Sequence, residues 1–204
     1  MSKNAIVFGG SGFLGSHVAD ALSENSYKVT LFDLKVSPYI RNDQTMVVGS
    51  ILDTEKVNYA IKGQDIVFHF AGLSDLDMGK DQPIEVANQN IIGTINLLNE
   101  SIKANIKRFV FASTIYVYSD LGGFYRCSKQ ATELFIEEFN KCYGLNFTVL
   151  RYGSLYGPRA SASNGIRRYL SQALQDGKIT YPGTGDEMRE YINVRDAARL
   201  SVDI

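Results

Sequence analysis

The residues best suited to catalysis are a tyrosine and a lysine four positions apart, Tyr125 and Lys129. Side chains at positions i and i+4 share one face of a helix, so the two can act as a unit. A free tyrosine, with a pKa of about 10, is a poor base at neutral pH, but a nearby ammonium favours the phenolate. Two hydroxyls, Ser113 and Thr114, end an apolar run just upstream and could hold a substrate oxygen. This set predicts a base that removes a hydroxyl proton.

A glycine-rich turn near the start of the chain predicts a binding site for a second reactant, which would act together with that base. The apolar run 5–8 stops at Gly9, and Gly12 and Gly15 follow before a helical pattern begins. Glycine there permits a tight strand-to-helix turn, close approach of the backbone to a pyrophosphate and close packing of the helix. A second apolar run ends in Asp33, where a ribose hydroxyl would need a carboxylate. This order predicts a dinucleotide site, and a nicotinamide ring bound there would take a hydride while Tyr125 takes the proton. Each motif alone has a simpler alternative, an ordinary glycine turn or a surface tyrosine–lysine pair.

The elements that must position these residues alternate along the chain. Strand patterns lie near 4–8, 28–32, 45–48, 65–70, 107–112 and 146–151, and helical patterns near 13–25, 54–62, 83–104, 125–143 and 164–177. Short strands alternating with longer helices predict an α/β fold with a doubly wound, parallel, Rossmann-type sheet.

A change of composition follows Arg151. Glycine and proline cluster at 152–159 and 181–187, and the chain stops inside a helical pattern that begins near 194. We therefore predict a cofactor-binding Rossmann domain at 1–151, which carries the catalytic residues, and a partial, truncated substrate-binding region at 152–204.

Composition excludes several classes of function. The 204 residues are 45% hydrophobic and 21% charged, with a net charge of −1, so neither nucleic acid nor an anionic membrane is expected as a partner. No apolar run approaches the length of a membrane span. Cys127 and Cys142 lie about 22 Å apart on one predicted helix and cannot bridge, which predicts a reduced, cytoplasmic protein. His17 and His69 have no partners spaced for a metal, so no metal is expected.

Eight motifs occur in order along the chain: GGSGFLG (9–15), FDL (32–34), HFAGL (69–73), NIIGT (90–94), ASTIYVY (112–118), YRCSK (125–129), RYGSLYGPR (151–159) and REYINVRD (189–196). With them the sequence resembles the extended short-chain dehydrogenase/reductases, and within that family the nucleotide-sugar epimerases and dehydratases. The resemblance extends from about Lys3 to the last residue.

This resemblance implies NAD as the cofactor. The residues that would bind it are Gly9, Gly12, Phe13, Leu14, Gly15, Asp33, Ser50, Ile51, Phe70, Ala71, Gly72, Asn90, Lys129 and Tyr152. Asp33 would bond the adenosine ribose and repel a 2′-phosphate, which favours NAD over NADP. Ser50 stands where the family usually places aspartate, which weakens the adenine contact. Asn90 would support the site from a long helix, and Phe70 and Tyr152 could equally be core aromatics.

The resemblance also implies the catalytic and substrate-binding residues. Thr114, Tyr125 and Lys129 would be catalytic, and Thr114, Ser154 and Arg189 would bind the nucleotide-diphosphate sugar. The guanidinium of Arg189 suits the diphosphate oxygens, although a solvated surface arginine is the alternative. Ser154 stands where many relatives have asparagine, so the sugar is left open.

The expected activity is therefore NAD-dependent epimerisation of a nucleotide-diphosphate sugar through a 4-keto intermediate. The family's dehydratases and decarboxylases carry acidic residues just after the catalytic Ser/Thr, and here Ile115 and Tyr116 occupy those places. A nucleotide-sugar dehydrogenase or reductase and a non-catalytic NAD-binding protein are the alternatives. The helices at 83–104 and 125–143, which pair as a four-helix bundle in relatives, predict a homodimer.

Overall fold

The computed structural model describes residues 3–181 and 183–204, without the side chains of 76–78. The first two residues of the predicted domain 1–151, and Pro182 of the predicted loop 181–187, lie outside the described residues.

Six parallel strands form the central sheet. They are β1 (Asn4–Phe8), β2 (Lys28–Asp33), β3 (Gln44–Val48), β4 (Ile66–His69), β5 (Arg108–Thr114) and β6 (Phe147–Tyr152). Their order across the sheet is β3-β2-β1-β4-β5-β6. The predicted doubly wound, Rossmann-type fold is confirmed, with strand ends within two residues of their predicted positions.

A second, two-stranded parallel sheet joins β7 (Ser154–Tyr156) to β8 (Tyr191–Asn193). This sheet was not predicted, because a strand of three residues is too short to display an alternating pattern.

Eight α-helices occur in the described residues, and all but one correspond to a helical pattern in the sequence. They are α1 (Phe13–Glu24), α2 (Thr54–Ile61), α3 (Leu76–Asp81), α4 (Pro83–Ala87), α5 (Gly93–Lys103), α6 (Gly123–Tyr143), α7 (Gly165–Asp176) and α8 (Val194–Val202). The short α3 was not predicted. The predicted helix 83–104 is divided, because a π-helical turn (Asn88–Ile92) separates α4 from α5. Among the helices of the described residues, none has both the length and the hydropathy needed to cross a membrane.

The two faces of the sheet bury alternate residues of the same strands, as the period of two requires. Ile6 and Phe8 of β1 belong to one core cluster, together with buried residues of α2, α5 and α6. Ala5 and Val7 belong to the other, with buried residues of α1 and with Ala198 of α8. Helices therefore cover both faces of the sheet.

The last helix, α8, returns to pack against α1. Val194 and Ala198 of α8 are at most 1% exposed. Beside them, Arg159 Nη2 lies 2.8 Å from Asp20 Oδ2 of α1. The C-terminal region thereby completes the core next to the helix that follows the glycine turn.

Candidate active site

The strand order reverses between β1 and β4, and such a switch point opens a crevice beyond the carboxyl ends of the strands. A cavity of about 1430 Å³ occupies this place, and we call it the main cavity. Its walls are the turn after β1, the ends of β2, β4, β5 and β6, the start of α6 and residues 187–190. The volume exceeds the roughly 300–1,000 Å³ of ordinary small-molecule pockets, which suits a dinucleotide together with a second ligand.

The turn between β1 and α1 forms one end of the main cavity. Gly9 has a φ of +82°, and a Cβ there would lie 2.6 Å from the amide nitrogen of Ala71. A Cβ on Gly15 would lie 2.1 Å from Gly9 O, so α1 can approach the turn only with glycine there. Gly12 is the N-cap of α1 and offers no side-chain acceptor, so the first N–H groups of the helix face the cavity without a side-chain cap. This arrangement suits a pyrophosphate.

Asp33 ends β2 and lines the same end of the cavity. Its Oδ2 accepts a hydrogen bond from Ser11 N at 2.9 Å, and its Oδ1 accepts one from Leu34 N at 2.7 Å. A carboxylate has about four acceptor sites, so acceptors remain for ribose hydroxyls. The acid is thus fixed directly beside the glycine turn.

Most of the predicted site residues line the main cavity. They are Gly9, Gly12, Phe13, Leu14, Gly15, Asp33, Ile51, Phe70, Ala71, Gly72, Thr114, Tyr125, Lys129, Tyr152, Ser154 and Arg189. Ser50 and Asn90 are absent from its lining. The Ser50 hydroxyl accepts a hydrogen bond from Leu52 N at 3.2 Å and so serves its own loop.

Asn90 lies behind the wall, in the π-helical turn, and is 2% exposed. Its Oδ1 accepts from Leu73 N at 2.7 Å, and its Nδ2 donates to Leu73 O at 2.9 Å. The same Nδ2 also donates to Ser128 Oγ on α6 at 2.9 Å. Asn90 therefore fixes the loop after β4 and links it to the helix that carries Tyr125 and Lys129.

Tyr125 and Lys129 share one face of α6, as predicted, and both line the cavity. Lys129 Nζ donates to Ala112 O at 2.7 Å and lies 5.6 Å from the centre of the Tyr125 ring. Burial lowers the pKa of Lys129 to about 7, although Glu133 opposes the effect. Burial, and then the neighbouring Tyr116, raise the pKa of Tyr125 to about 12.

These directions differ from the expectation that Lys129 lowers the pKa of Tyr125. The physical reason is desolvation, which disfavours both the phenolate and the ammonium. The ammonium also donates to a backbone carbonyl. Phenolate at Tyr125 therefore requires a further positive charge in the cavity, which a cationic nicotinamide ring would supply.

The two hydroxyls at the end of β5 have different surroundings. Ser113 Oγ donates to Glu133 Oε1, so its proton is committed inside the protein. Thr114 Oγ1 accepts from Tyr116 N at 3.3 Å, which leaves its own proton free to donate into the cavity. Of the two hydroxyls, that of Thr114 is thus the one available to a substrate.

Tyr152, at the end of β6, presents its ring to the cavity, 6.5 Å from that of Phe70. Its hydroxyl lies 2.7 Å from Ser201 Oγ of α8. Because the Ser201 hydroxyl donates to Ala197 O, the tyrosine must be the donor of this bond. Burial raises the pKa of Tyr152 to about 12. Tyr125 has a similarly raised pKa, so the difference between the two tyrosines is that the proton of the Tyr152 hydroxyl is committed to Ser201.

The other end of the cavity is more open. Ser154 of β7 and Arg189 line it, together with Met188, whose side chain is 97% exposed. Glu85 and Gln89 line the cavity as well, and Gln89 Nε2 donates to Glu85 Oε1 at 2.8 Å. These last two were not predicted, because nothing in the order of residues places α4 and the π-helical turn after it beside the strand ends.

An ion pair between an exposed arginine and a buried glutamate lies behind Thr114 and was not predicted from the sequence. Arg151 Nη2 lies 2.6 Å from Glu133 Oε2, and the carboxylate is 9% exposed. The available signal was spacing, because Glu133 follows Lys129 by four residues on the same helix.

Comparisons with known proteins agree with this geometry. The profile of the "NAD dependent epimerase/dehydratase family" matches residues 5–203. The structure is similar to that of a UDP-glucose 4-epimerase from Thermotoga maritima, solved with UDP-glucose (TM-score 0.91, 32% identity, 98% of this chain and 72% of the other). It is also similar to a UDP-glucuronic acid 4-epimerase from Bacillus cereus, solved with UDP-glucuronic acid and NAD (TM-score 0.88, 25% identity, 98% and 72%).

Similarity extends to relatives with a different reaction. A UDP-N-acetyl-alpha-D-glucosaminuronate decarboxylase from Bacillus cytotoxicus is 28% identical over 99% of this chain and 71% of its own length. Overall similarity is therefore compatible with more than one reaction on a nucleotide sugar.

Proposed function

Because the chain belongs to the NAD-dependent epimerase/dehydratase family, we propose that it inverts C4 of a nucleotide-diphosphate sugar through a 4-keto intermediate. Residues 1–151 would bind NAD and carry the catalytic groups, and residues 152–204 would contribute to the nucleotide-sugar site. The observation that carries the proposal is the placement of Thr114, Tyr125 and Lys129 in one cavity with the glycine turn and Asp33.

The residues present fit NAD. The close-packed turn at Gly9 and Gly15 leaves the start of α1 open for a pyrophosphate, and Asp33 retains acceptors for a ribose. When bound, NAD would accept a hydride from the sugar and return it to the opposite face of the ketone.

Tyr125 is the proposed base for the sugar 4-hydroxyl. It lines the cavity beside Thr114, four residues before Lys129 on α6. Lys129 carries the ammonium that would hold the nicotinamide ribose and favour the phenolate. Thr114 would orient the same substrate oxygen with its free hydroxyl proton. The Arg189 guanidinium would bind the diphosphate.

The surroundings of Thr114 favour epimerisation over elimination or decarboxylation. Ile115 and Tyr116 follow it and line the cavity where a carboxylate would otherwise serve as acid or base. Among the residues just after Thr114 the cavity thus has no carboxyl group to remove or deliver a second proton.

The test compares two tyrosines that line the same cavity. Tyr125→Phe removes the proposed base and should reduce turnover by at least the roughly 10²–10⁴-fold typical of acid–base groups, with NAD affinity nearly unchanged. Tyr152→Phe is the matched control, because that hydroxyl is committed to Ser201. It should leave turnover within a few-fold of the parent protein.

Turnover is measured by NMR as interconversion of C4 epimers in a panel of UDP- and dTDP-sugars. Absorbance of released NADH is recorded in parallel. Net NADH release would indicate a dehydrogenase instead of an epimerase. Full activity of Tyr125→Phe would contradict the assignment of the base, and absence of NAD binding would contradict the proposed function.

A further inference from the structure

The buried carboxylate of Glu133 is not used by the mechanism above. It lies on α6 one turn after Lys129 and two turns after Tyr125, on the same helix face, and the residue is 7% exposed. A buried carboxylate without compensation is costly, so its partners indicate what it does.

Two of those partners tie Glu133 to the neighbouring strands. It accepts from Ser113 Oγ at the end of β5 and is paired with Arg151 of β6, whose Nη2 lies 2.6 Å from Oε2. Lys129 donates to Ala112 O at 2.7 Å. Successive residues of β5, Ala112 and Ser113, are thus held by two charged groups of α6, immediately before Thr114.

Its charge also acts on Lys129. Among the described residues, Glu133 is the carboxylate whose charge raises the pKa of Lys129, against the larger effect of burial. Tyr125 on α6 and His69 on β4 also face this region, but burial keeps both neutral at neutral pH. Arg151 brings a positive charge to the same group of residues, and it is paired with Glu133.

We propose, on the basis of the epimerase function proposed above, that Glu133 is a positioning residue that acts through Lys129. Its negative charge opposes the loss of the Lys129 proton that burial favours, and its bond to Ser113 fixes the strand end that presents Thr114. Without that charge, Lys129 would lose its proton at a lower pH and with it the ability to bind the ribose and favour phenolate.

Two substitutions break the same ion pair and distinguish charge from structure. Glu133→Gln keeps the shape and removes the negative charge, so the pKa of Lys129 should fall by about one unit from its value of about 7. Arg151→Gln removes the positive charge and leaves the carboxylate one helical turn from Lys129, so the same pKa should rise. A merely structural ion pair would make both variants change alike.

The measurement is NAD affinity by calorimetry between about pH 5 and pH 9. A base with a lowered pKa is fully protonated well below that pKa and loses its proton as the pH rises through it. Glu133→Gln should therefore bind NAD as the parent does near pH 5 and about tenfold more weakly near pH 8. Arg151→Gln should retain affinity to higher pH than the parent does.

Glu133→Asp keeps the charge on a shorter side chain and should restore most of the parent pH profile. If Glu133→Gln does not fold, Glu133→Asp can still be compared with Arg151→Gln and with the parent protein. Profiles of Glu133→Gln and Arg151→Gln that coincide, or that move in the same direction, would overturn the inference. A Glu133→Asp profile displaced to lower pH would do the same. The parent protein separates the two hypotheses, because only failure of the proposed function would abolish its NAD binding and turnover.

Discussion

Replacing Asp33 with asparagine should change which dinucleotide the protein prefers. The carboxylate lies at the end of β2 and accepts from Ser11 N at 2.9 Å and from Leu34 N at 2.7 Å. A 2′-phosphate on the adenosine ribose would bring close to two negative charges to this carboxylate. NADP should therefore bind the parent protein much more weakly than NAD.

The magnitude follows from Coulomb's law. Two unit charges about 4 Å apart interact by about 4 kcal/mol at an effective dielectric constant of about 20. Asp33 is only partly buried, so water and salt should reduce the repulsion to about 2 kcal/mol. Asparagine should thus strengthen NADP binding about thirtyfold. It should weaken NAD binding about tenfold, because a charge-assisted hydrogen bond to the ribose becomes an ordinary one.

The assay is calorimetric titration with both dinucleotides at two salt concentrations. Asp43→Asn is the matched control, because it removes the same charge from an exposed side chain paired with Arg41. That control should leave the ratio of affinities unchanged. Equal affinities of the parent protein for NAD and NADP, or a ratio unaffected by Asp33→Asn, would refute the reasoning.

Four further substitutions are expected to act as follows. Lys129→Ala should reduce both NAD affinity and turnover, measured by calorimetry and by epimer interconversion, because one ammonium serves both. Thr114→Val should slow turnover about tenfold with NAD affinity intact, since it removes one hydrogen bond. Gly15→Ala should lower the thermal unfolding midpoint and NAD affinity together, because its Cβ would meet Gly9 O at 2.1 Å. Leu134→Glu should convert the predicted homodimer to a monomer in light scattering, since Leu134 is 63% exposed on α6; a monomeric parent protein would contradict that assembly.

Much of the fold follows from local pattern. The run at 5–8, the glycines after it and the acid at Asp33 each depend on neighbours in sequence, so their places in the structure match the prediction. The pairing of Tyr125 with Lys129 is local as well, because the helix itself brings the two together.

Contacts between distant segments were not predictable from pattern. The bond between Tyr152 and Ser201 joins residues 49 positions apart. The π-helical turn at Asn88–Ile92 has no signature in residue type. Its role depends on the hydrogen bonds that Asn90 makes to Leu73 and Ser128, which are distant in sequence. Burial also divides residues that looked equivalent, because Ile136 is fully buried in the core while Leu134 is exposed. Periodicity alone did not separate the helix face that packs on the sheet from the exposed face, on which the predicted homodimer depends.

The packing of α8 against α1 has a consequence for synthesis in the cell. Ala198 belongs to the same core cluster as Val18 and Leu22, so that core is incomplete until the last of these residues is made. At roughly 5–20 residues per second, about 10–35 s separate the emergence of α1 from that of α8. During that interval the nascent chain exposes apolar surface beside its cofactor turn. We therefore expect this protein to bind chaperones during translation until α8 has been made and covers that surface.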